Sequence, residues 1–277
     1  MMNTVLKPLL TILILIASIN QAFAIEILAH RGASGEYPQS TALAFQKALE
    51  QGADILELDV HFSKDKHVII NHDADLTKNV GTSDKIKDLT LAEIKALDAG
   101  HQFTVDDGAS YPFRNQGLVL LTLNELFELF PYERFNVEIK VDDDALAESV
   151  WQIIAYYQLQ NRVVVASQHR AAMKHFRNVS HGEVKTSATI AELVEASIAW
   201  STGFGWAFKP KFDIAQLPFS ITTKPYVQFF QKKGVTVDLW TVNDVDDIER
   251  AVNLGVDGII GDYPGRIYDV LESAGYR

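Results

Sequence analysis

Ile55-Leu56-Glu57-Leu58-Asp59-Val60-His61-Phe62 and Val68-Ile69-Ile70-Asn71-His72 read as two strands separated only by the polar turn Ser63-Lys64-Asp65-Lys66. Parallel neighbours need a crossover of about a dozen or more residues, so these two pair as an antiparallel hairpin. With the turn centred near Asp65, facing residues have numbers that sum to roughly 129–130, which sets His72 beside Glu57 and Leu58. Side chains alternate faces along a strand, so Glu57 and Asp59 point the same way. A slip of one residue would turn the His72 ring to the other face, so the register carries chemical weight.

Two further runs bring polar groups to strand ends. Ile25 to His30 closes on His30-Arg31-Gly32, and Phe135 to Lys140 carries Glu138 and Lys140 on one face. Three carboxylates, two histidines, an arginine and a lysine can then converge, which is the equipment for metal-assisted cleavage of a phosphate ester. The remaining strand-like runs are Val163–Gln168, Val184–Ala188, Phe212–Leu217, Val235–Val242 and Val256–Ile260. They alternate with helical patterns over Thr41–Gln51, Ala145–Tyr157, Pro225–Lys233 and Val245–Leu254. Such alternation predicts an α/β protein with a parallel sheet, most simply a closed (β/α)8 TIM barrel, with the early hairpin the one break in it. An open doubly wound sheet is the alternative, but it favours a Gly-rich phosphate turn after the first strand, and neither G-x-G-x-x-G nor a P-loop occurs. Residues 75–117 hold only a weak helix, Thr90 to Ala99, and a polar stretch. They read as an insertion after the hairpin that caps the barrel mouth and carries selectivity.

The first residues read as an export signal. Lys7 supplies the basic start, Leu9 to Ile19 the apolar run, and Ala22-Phe23-Ala24 the small-residue cleavage site. The apolar run falls short of the roughly 20 residues that cross a bilayer, so cleavage after Ala24 and no stable membrane anchor are expected. The chain has no cysteine, which excludes disulfides and a lipidated Cys after the signal and fits an exported, periplasmic enzyme held by its core. Loss of residues 1–24 removes one base, Lys7, and no acid, taking the formal net charge from −11 to −12. A field of that sign repels nucleic acid and anionic membranes and points to a small-molecule partner. The remaining 25–277 suits one barrel domain, for which about 250 residues is typical.

The blocks Ala29-His30-Arg31-Gly32-Ala33-Ser34-Gly35, Pro38-x-x-Thr41, Glu57-x-Asp59, His72-Asp73, Val137-Glu138-Ile139-Lys140, Trp240-Thr241-Val242-Asn243 and Asp257-Gly258-Ile259-Ile260-Gly261-Asp262-Tyr263-Pro264 together resemble the glycerophosphodiester phosphodiesterase family. The match runs in order over nearly all of the mature chain. The resemblance implies a distorted (β/α)8 barrel in which Glu57, Asp59 and Glu138 bind one divalent cation. It implies that His30 and His72 are the acid and base, that Arg31 and Lys140 hold the phosphate, and that Trp240 packs near the alcohol. It further implies a glycerophosphodiester substrate, released as an alcohol and glycerol 3-phosphate.

The chemistry agrees with the implied roles. An anionic diester repels nucleophiles until its oxygens are neutralised, and all-oxygen ligation favours Ca²⁺ or Mg²⁺. Histidine titrates near neutrality and suits both proton transfers. The nucleophile is either water or the glycerol 2-hydroxyl. One departure stands out: the family's Pro-Glu-Asn-Thr is Pro38-Gln39-Ser40-Thr41 here, so Gln39 can hydrogen bond to Arg31 but carries no charge. A phospholipase D type enzyme on lysophospholipids or sphingomyelin, and a catalytically weakened binding relative, are the alternative functions.

Other candidates have plainer readings. Asp142-Asp143-Asp144 precedes a helix and is expected to cap it. His61, His67, His175 and His181 have no usable partner spacing and are expected at the surface, while His169 is a candidate for the mouth. Ser34 lies outside G-x-S-x-G, which excludes it as an expected nucleophile. The aromatic run Trp200, Phe204, Trp206, Phe208 is expected to pack between a helix and the barrel.

Overall fold

In the computed structural model, which describes residues 24–277, β1 (Glu26–His30), α1 (Ala42–Glu50), β2 (Ile55–Phe62) and β3 (Val68–Ile70) open the fold. Residues 1–23 of the expected leader, 1–24, lie outside the described residues. β2 and β3 form the antiparallel hairpin, with Val60 facing Ile70 and Phe62 facing Val68. That register is the one read from the turn, and the Asn71 N–H donates to the Asp59 carbonyl at 3.0 Å just before His72.

The insertion follows with β4 (Asp75–Leu76), β5 (Thr82–Lys85) and α2 (Leu91–Lys95). Next come α3 (Leu123–Leu129), β6 (Phe135–Ile139), α4 (Asp144–Tyr156), β7 (Val163–Ala166), α5 (Arg170–Val179), β8 (Lys185–Thr186) and α6 (Ile190–Ser201). The chain ends with β9 (Ile214–Pro218), α7 (Lys224–Gln231), β10 (Thr236–Trp240), α8 (Val245–Leu254), β11 (Gly258–Gly261) and α9 (Pro264–Ser273).

Eight strands pair in parallel in the order β8-β7-β6-β2-β1-β11-β10-β9. A bridge from Ser187 to Ile214 and an Ala188 N–H to Ile214 carbonyl bond of 2.8 Å join the two ends. The result is a nearly closed parallel barrel ringed by helices, which excludes the open doubly wound sheet. β8 is shorter than the expected Val184–Ala188 because Ser187 and Ala188 turn to β9 at this seam.

Capping explains where helices begin. Thr41 accepts from the Ala44 N–H at the start of α1, and Thr189 with Glu192 forms a capping box on α6. The Asp143 carboxylate accepts from the N–H groups of Ala145 and Leu146, so the acidic run does cap α4. α2 stops at Lys95, short of the expected Ala99, with Thr90 and Glu93 closing its own capping box.

All eight residues of β2 are buried, yet apolar and charged side chains alternate along it. Leu56, Leu58 and Val60 point outward into a core shared with Leu126, Phe127, Leu146 and Val150. Leu217, Val237, Leu239 and Ile259 do the same against Val227, Phe230, Ile248 and Ile267 on the other side. The insertion packs Leu76, Ile86, Ile94 and Ala99 against Ile69 of β3 and Leu120 in a small separate core. Among the described residues no helix is long and apolar enough to cross a membrane.

Polar side chains also enter the barrel. Gln216 on β9 donates through Nε2 to Asn136 Oδ1 on β6 at 3.0 Å. Asp238 is 3% exposed, and its Oδ1 fills the space 2.4 Å from where a Cβ would sit on residue 258, so β11 opens with glycine. Burial, helped by the charges of Glu26 and Asp257, pushes the Asp238 carboxyl up to about 7. Between pH 4 and 7 the unfolded chain therefore gives up this proton while the folded chain keeps it, and stability drains as pH rises through that window. Asp238→Asn cannot ionise, and it should stabilise the fold by roughly 2–4 kcal/mol at pH 8 and change it little at pH 4. Urea midpoints at the two pH values check this, and an equal effect at both would contradict it.

Candidate active site

Parallel pairing brings neighbouring strands to one level. His30 on β1 is in register with Glu57 on β2, and Asp59 on β2 with Glu138 on β6. The side-chain alternation read from the sequence then turns these groups into the barrel. Ligand oxygens of Glu57, Asp59 and Glu138 all lie within 4.8 Å of one another. Arg31, Lys140, His72 and Trp240 open onto the same cavity, so all eight residues singled out from the sequence meet in one place.

The turn after β1 is bent to make this possible. Arg31 has φ +58° and Gly32 φ +84°. A side chain on Gly32 would come within 2.6 Å of the Ala44 backbone on α1. Left-handed backbone costs a residue such as arginine about 1–3 kcal/mol. The Arg31 N–H, bonded to Glu57 Oε2 at 3.0 Å and to the Glu57 carbonyl at 3.0 Å, holds it there.

Charge is crowded in the cluster. Burial above all, with the charge of Asp59, pushes the carboxyls of Glu57 and Glu138 up. Lys140 loses solvation too, yet Asp59 and Glu138 hold its ammonium above the ordinary range, at 3.3 Å from each. Arg31 Nε approaches Asp59 Oδ2 to 3.2 Å, close enough for an ion pair but misaligned for a hydrogen bond. Asp59 Oδ2 is thus a buried carboxylate oxygen without a hydrogen-bond donor. Three converging carboxylates, one with an oxygen so exposed to the cluster, suit a hard divalent cation.

Both histidines are braced in the same manner. His30 Nδ1 lies 2.6 Å from Asp262 Oδ1, and His72 Nδ1 lies 2.7 Å from Asp73 Oδ1. In each case Nε2 is the nitrogen left for chemistry. Asp262 is itself held by Asn243 Nδ2 at 2.6 Å and by the Ser34 hydroxyl at 3.0 Å. Burial works against its charge, but these bonds and His30 outweigh it and keep the carboxyl low. Ser34 is occupied with that carboxylate and with the His30 carbonyl at 2.6 Å, in keeping with its exclusion as a nucleophile. Burial lowers the His72 imidazole despite the pull of Asp59, so the ring is neutral and able to accept a proton near pH 7.

His61 corrects the surface expectation. It is 6% exposed, and its Nε2 sits 3.0 Å from the His72 carbonyl. A carbonyl only accepts, so Nε2 carries the proton. Burial keeps this ring neutral, and it pins the His72 backbone from behind. His67 and His181 are exposed as expected, His175 is half-buried, and His169 is exposed with Nε2 3.1 Å from the Lys140 carbonyl.

Gln39 does reach Arg31, whose Nη1 donates to its Oε1 at 3.1 Å. Its amide donates in turn to Asn79 Oδ1 at 2.6 Å, Asn79 donates to Asn71 Oδ1 at 2.8 Å, and Asn71 to the Asp73 carbonyl at 2.7 Å. A carboxylate at position 39 would lack the donor for the second link. This relay is also the insertion's link to the site. None of residues 75–117 lines the cavity, whose outer wall comes from α6 and the segment after β9. The cavity measures about 770 Å³.

The aromatic run divides. Phe208 packs on Phe212 and Phe229, and Trp200 meets Tyr226 at 5.0 Å beside the cavity. Phe204 and Trp206 remain 63% and 81% exposed, against the packing expectation. Trp240 is 40% exposed on the cavity wall, its Nε1 donating to the Gln216 carbonyl at 3.2 Å.

Residues 30–266 match the Glycerophosphoryl diester phosphodiesterase family. The chain belongs to that family. It is 33% identical to a glycerophosphodiester phosphodiesterase of Caldanaerobacter subterraneus, over 90% of this chain and 98% of the relative. It is 25% identical to the human lysophospholipase D GDPD1, over 91% and 88%. Among solved structures it is similar to a glycerophosphodiester phosphodiesterase of Thermotoga maritima, with 27% identity, coverage of 89% and 98%, and a TM-score of 0.68. The chain is thus a phosphoric diester hydrolase on a TIM barrel, acting on glycerophosphodiesters.

Three supporting residues escaped the sequence reading: Asp262, Asp73 as a brace, and His61. His72-Asp73 was legible as a pair, whereas Asp262 lies 232 positions from His30 and meets it only through the barrel. Asp262→Asn, which keeps size but loses the charge on Nδ1, should lower kcat about 10- to 1,000-fold with a smaller change in KM. Steady-state kinetics on glycerophosphocholine checks this, and an unchanged kcat would remove Asp262 from the account.

Proposed function

We propose that His30 and His72 are the acid and base of the hydrolysis, one taking the nucleophile's proton and the other protonating the departing alkoxide. The observation that carries the reading is the pair of imidazoles, each held through Nδ1 by a carboxylate and lining the same cavity as one acidic cluster. Glu57, Asp59 and Glu138 would hold one divalent cation, Ca²⁺ or Mg²⁺, which when bound neutralises charge on the phosphoryl oxygens. Arg31 and Lys140 hold the phosphate from the same side and orient the diester against the histidines. Trp240 offers an apolar surface for the alcohol portion.

The lowered His72 imidazole favours it for accepting a proton near neutral pH. Either water or the glycerol 2-hydroxyl can supply the nucleophile. A cyclic phosphate trapped in single turnovers would identify the hydroxyl route. The products in either case are an alcohol and glycerol 3-phosphate.

Chelator should abolish release of glycerol 3-phosphate from glycerophosphocholine, with Ca²⁺ or Mg²⁺ restoring it. His30→Ala and Glu57→Gln should each cost about 10²- to 10⁴-fold in kcat. Full activity in chelator, or in either variant, would contradict the assignment.

We further propose that the enzyme is exported and periplasmic, on the strength of Lys7, the apolar run Leu9 to Ile19 and Ala22-Phe23-Ala24. N-terminal sequencing of the protein from the periplasmic fraction should then begin at Ile25. A chain retained in the cytoplasm with its N-terminus intact would contradict export.

A further inference from the structure

The turn between β4 and β5 places one amide of the insertion, Asn79, between two parts of the active site. Asn79 is 5% exposed. The turn around it is tied down by the Val80 and Gly81 N–H groups, which donate to the Leu76 carbonyl at 2.9 and 3.1 Å, and by the Gln102 N–H, which donates to the Asn79 carbonyl at 3.2 Å.

The links from Arg31 through Gln39, Asn79 and Asn71 to the Asp73 carbonyl all run from donor to acceptor in one direction. The two ends fix that direction. A guanidinium only donates and a backbone carbonyl only accepts, so each of the three amides between them has one orientation that satisfies both neighbours. Asn71 Nδ2 also donates to the Asp75 carbonyl at 3.2 Å, a second acceptor that holds the same orientation. Turning any one amide over would set oxygen against oxygen on one side and N–H against N–H on the other. Hydrogen bonds aligned head to tail in a low-dielectric interior polarise one another, so the chain behaves as a unit.

Both ends of the chain belong to the reacting site. Among the described residues, Gln39 Oε1 is the one hydrogen-bond acceptor of the Arg31 side chain, whose Nε has none. At the other end, the Asp73 carboxylate holds His72 Nδ1 at 2.7 Å.

We propose that Asn79 is a positioning residue of the hydrolysis: through Gln39 it sets the Arg31 guanidinium for the phosphate, and through Asn71 it sets the His72-Asp73 pair. The insertion then serves the reaction as a brace behind the site. The inference rests on the roles given above to Arg31 and His72. A shift of about 1 Å in a reacting group can cost roughly 10²-fold in rate, so a brace that touches no substrate atom still carries measurable weight.

The test uses the full-length protein. Asn79→Leu keeps the side chain's size and removes its donor and acceptor, and Asn79→Ala repeats the cut with a side chain too small to clash. Gln39→Leu breaks the same chain from outside the insertion, and Asn79→Leu/Gln39→Leu combines the two. Steady-state kinetics on glycerophosphocholine is paired with calorimetric titration of glycerol 3-phosphate, which needs no turnover, and urea midpoints check that each variant is folded. Asn79→Leu should lose about 10- to 100-fold in kcat/KM, with kcat down and KM up, and should bind glycerol 3-phosphate about fivefold or more weakly. The double variant should lose no more than about threefold beyond the worse single one, because the chain is already cut.

Kinetics and affinity of both Asn79 variants within about twofold of wild type would overturn the inference. So would losses that multiply in the double variant, since Asn79 and Gln39 would then act separately. Lost turnover in His30→Ala with both Asn79 variants unchanged would sink this inference alone. Full turnover in His30→Ala, with glycerol 3-phosphate binding weakened by Asn79→Leu, would instead sink the acid–base reading and leave the brace on Arg31 standing.

Discussion

Asp59 lies 1% exposed between the Arg31 guanidinium and the Lys140 ammonium, with Glu57 and Glu138 crowded against it. Charges buried this deeply are tolerated only when paired, and leaving one unmatched costs several kcal/mol. The surrounding structure supplies the pairing. β1 delivers Arg31 through a strained left-handed turn, β6 delivers Lys140 and Glu138, and the β2–β3 hairpin brings His72 back over the same spot. The barrel is the frame that keeps these like charges from separating. Outward residues of the same strands, Leu56, Leu58, Val60, Val137 and Ile139, anchor it to the helices.

That constraint shapes what lies around it. Each imidazole has its Nδ1 committed to a carboxylate, and both rings line the cavity that holds the acidic cluster. The histidines come from opposite logic, His30 braced across the whole chain by Asp262 and His72 by its sequence neighbour Asp73. Behind them, His61 and the amides of Asn71, Asn79 and Gln39 tie the His72 loop to the arginine. Glutamine at position 39 is consistent within this relay, because it both accepts from Arg31 and donates to Asn79. Gln39 is a neutral link that accepts from Arg31 Nη1 at 3.1 Å.

The fold and the convergence of the eight candidate residues were largely legible in the sequence because they obey local periodicities. Strand alternation placed Glu57 with Asp59, and the short turn at Asp65 fixed the hairpin register to which His72 belongs. What the sequence hid was decided by distant contacts. Asp262 and His30 meet only when β11 closes against β1, and no local pattern signals that. His61 looked like a surface residue because its donor role depends on the His72 backbone carbonyl, two residues past the end of the opposite strand. α6 (Ile190–Ser201) was not singled out in the sequence, and only the structure shows that one of its faces lines the cavity. Residues 75–117 pack beside the site in a small core shared with Ile69 and Leu120 and are bonded to it through Asn79, and none of them lines the cavity they were expected to cap.

The central claim is that Glu57, Asp59 and Glu138 share one cation. A crystal soaked in Mn²⁺, a hard oxygen-seeking ion with a usable anomalous signal, tests it directly. The account predicts a single anomalous peak bonded to an oxygen from each of the three carboxylates, with the His30 and His72 rings on either side. A peak elsewhere, or none at full soaking while Arg31 and Lys140 stay clamped on Asp59, would contradict it.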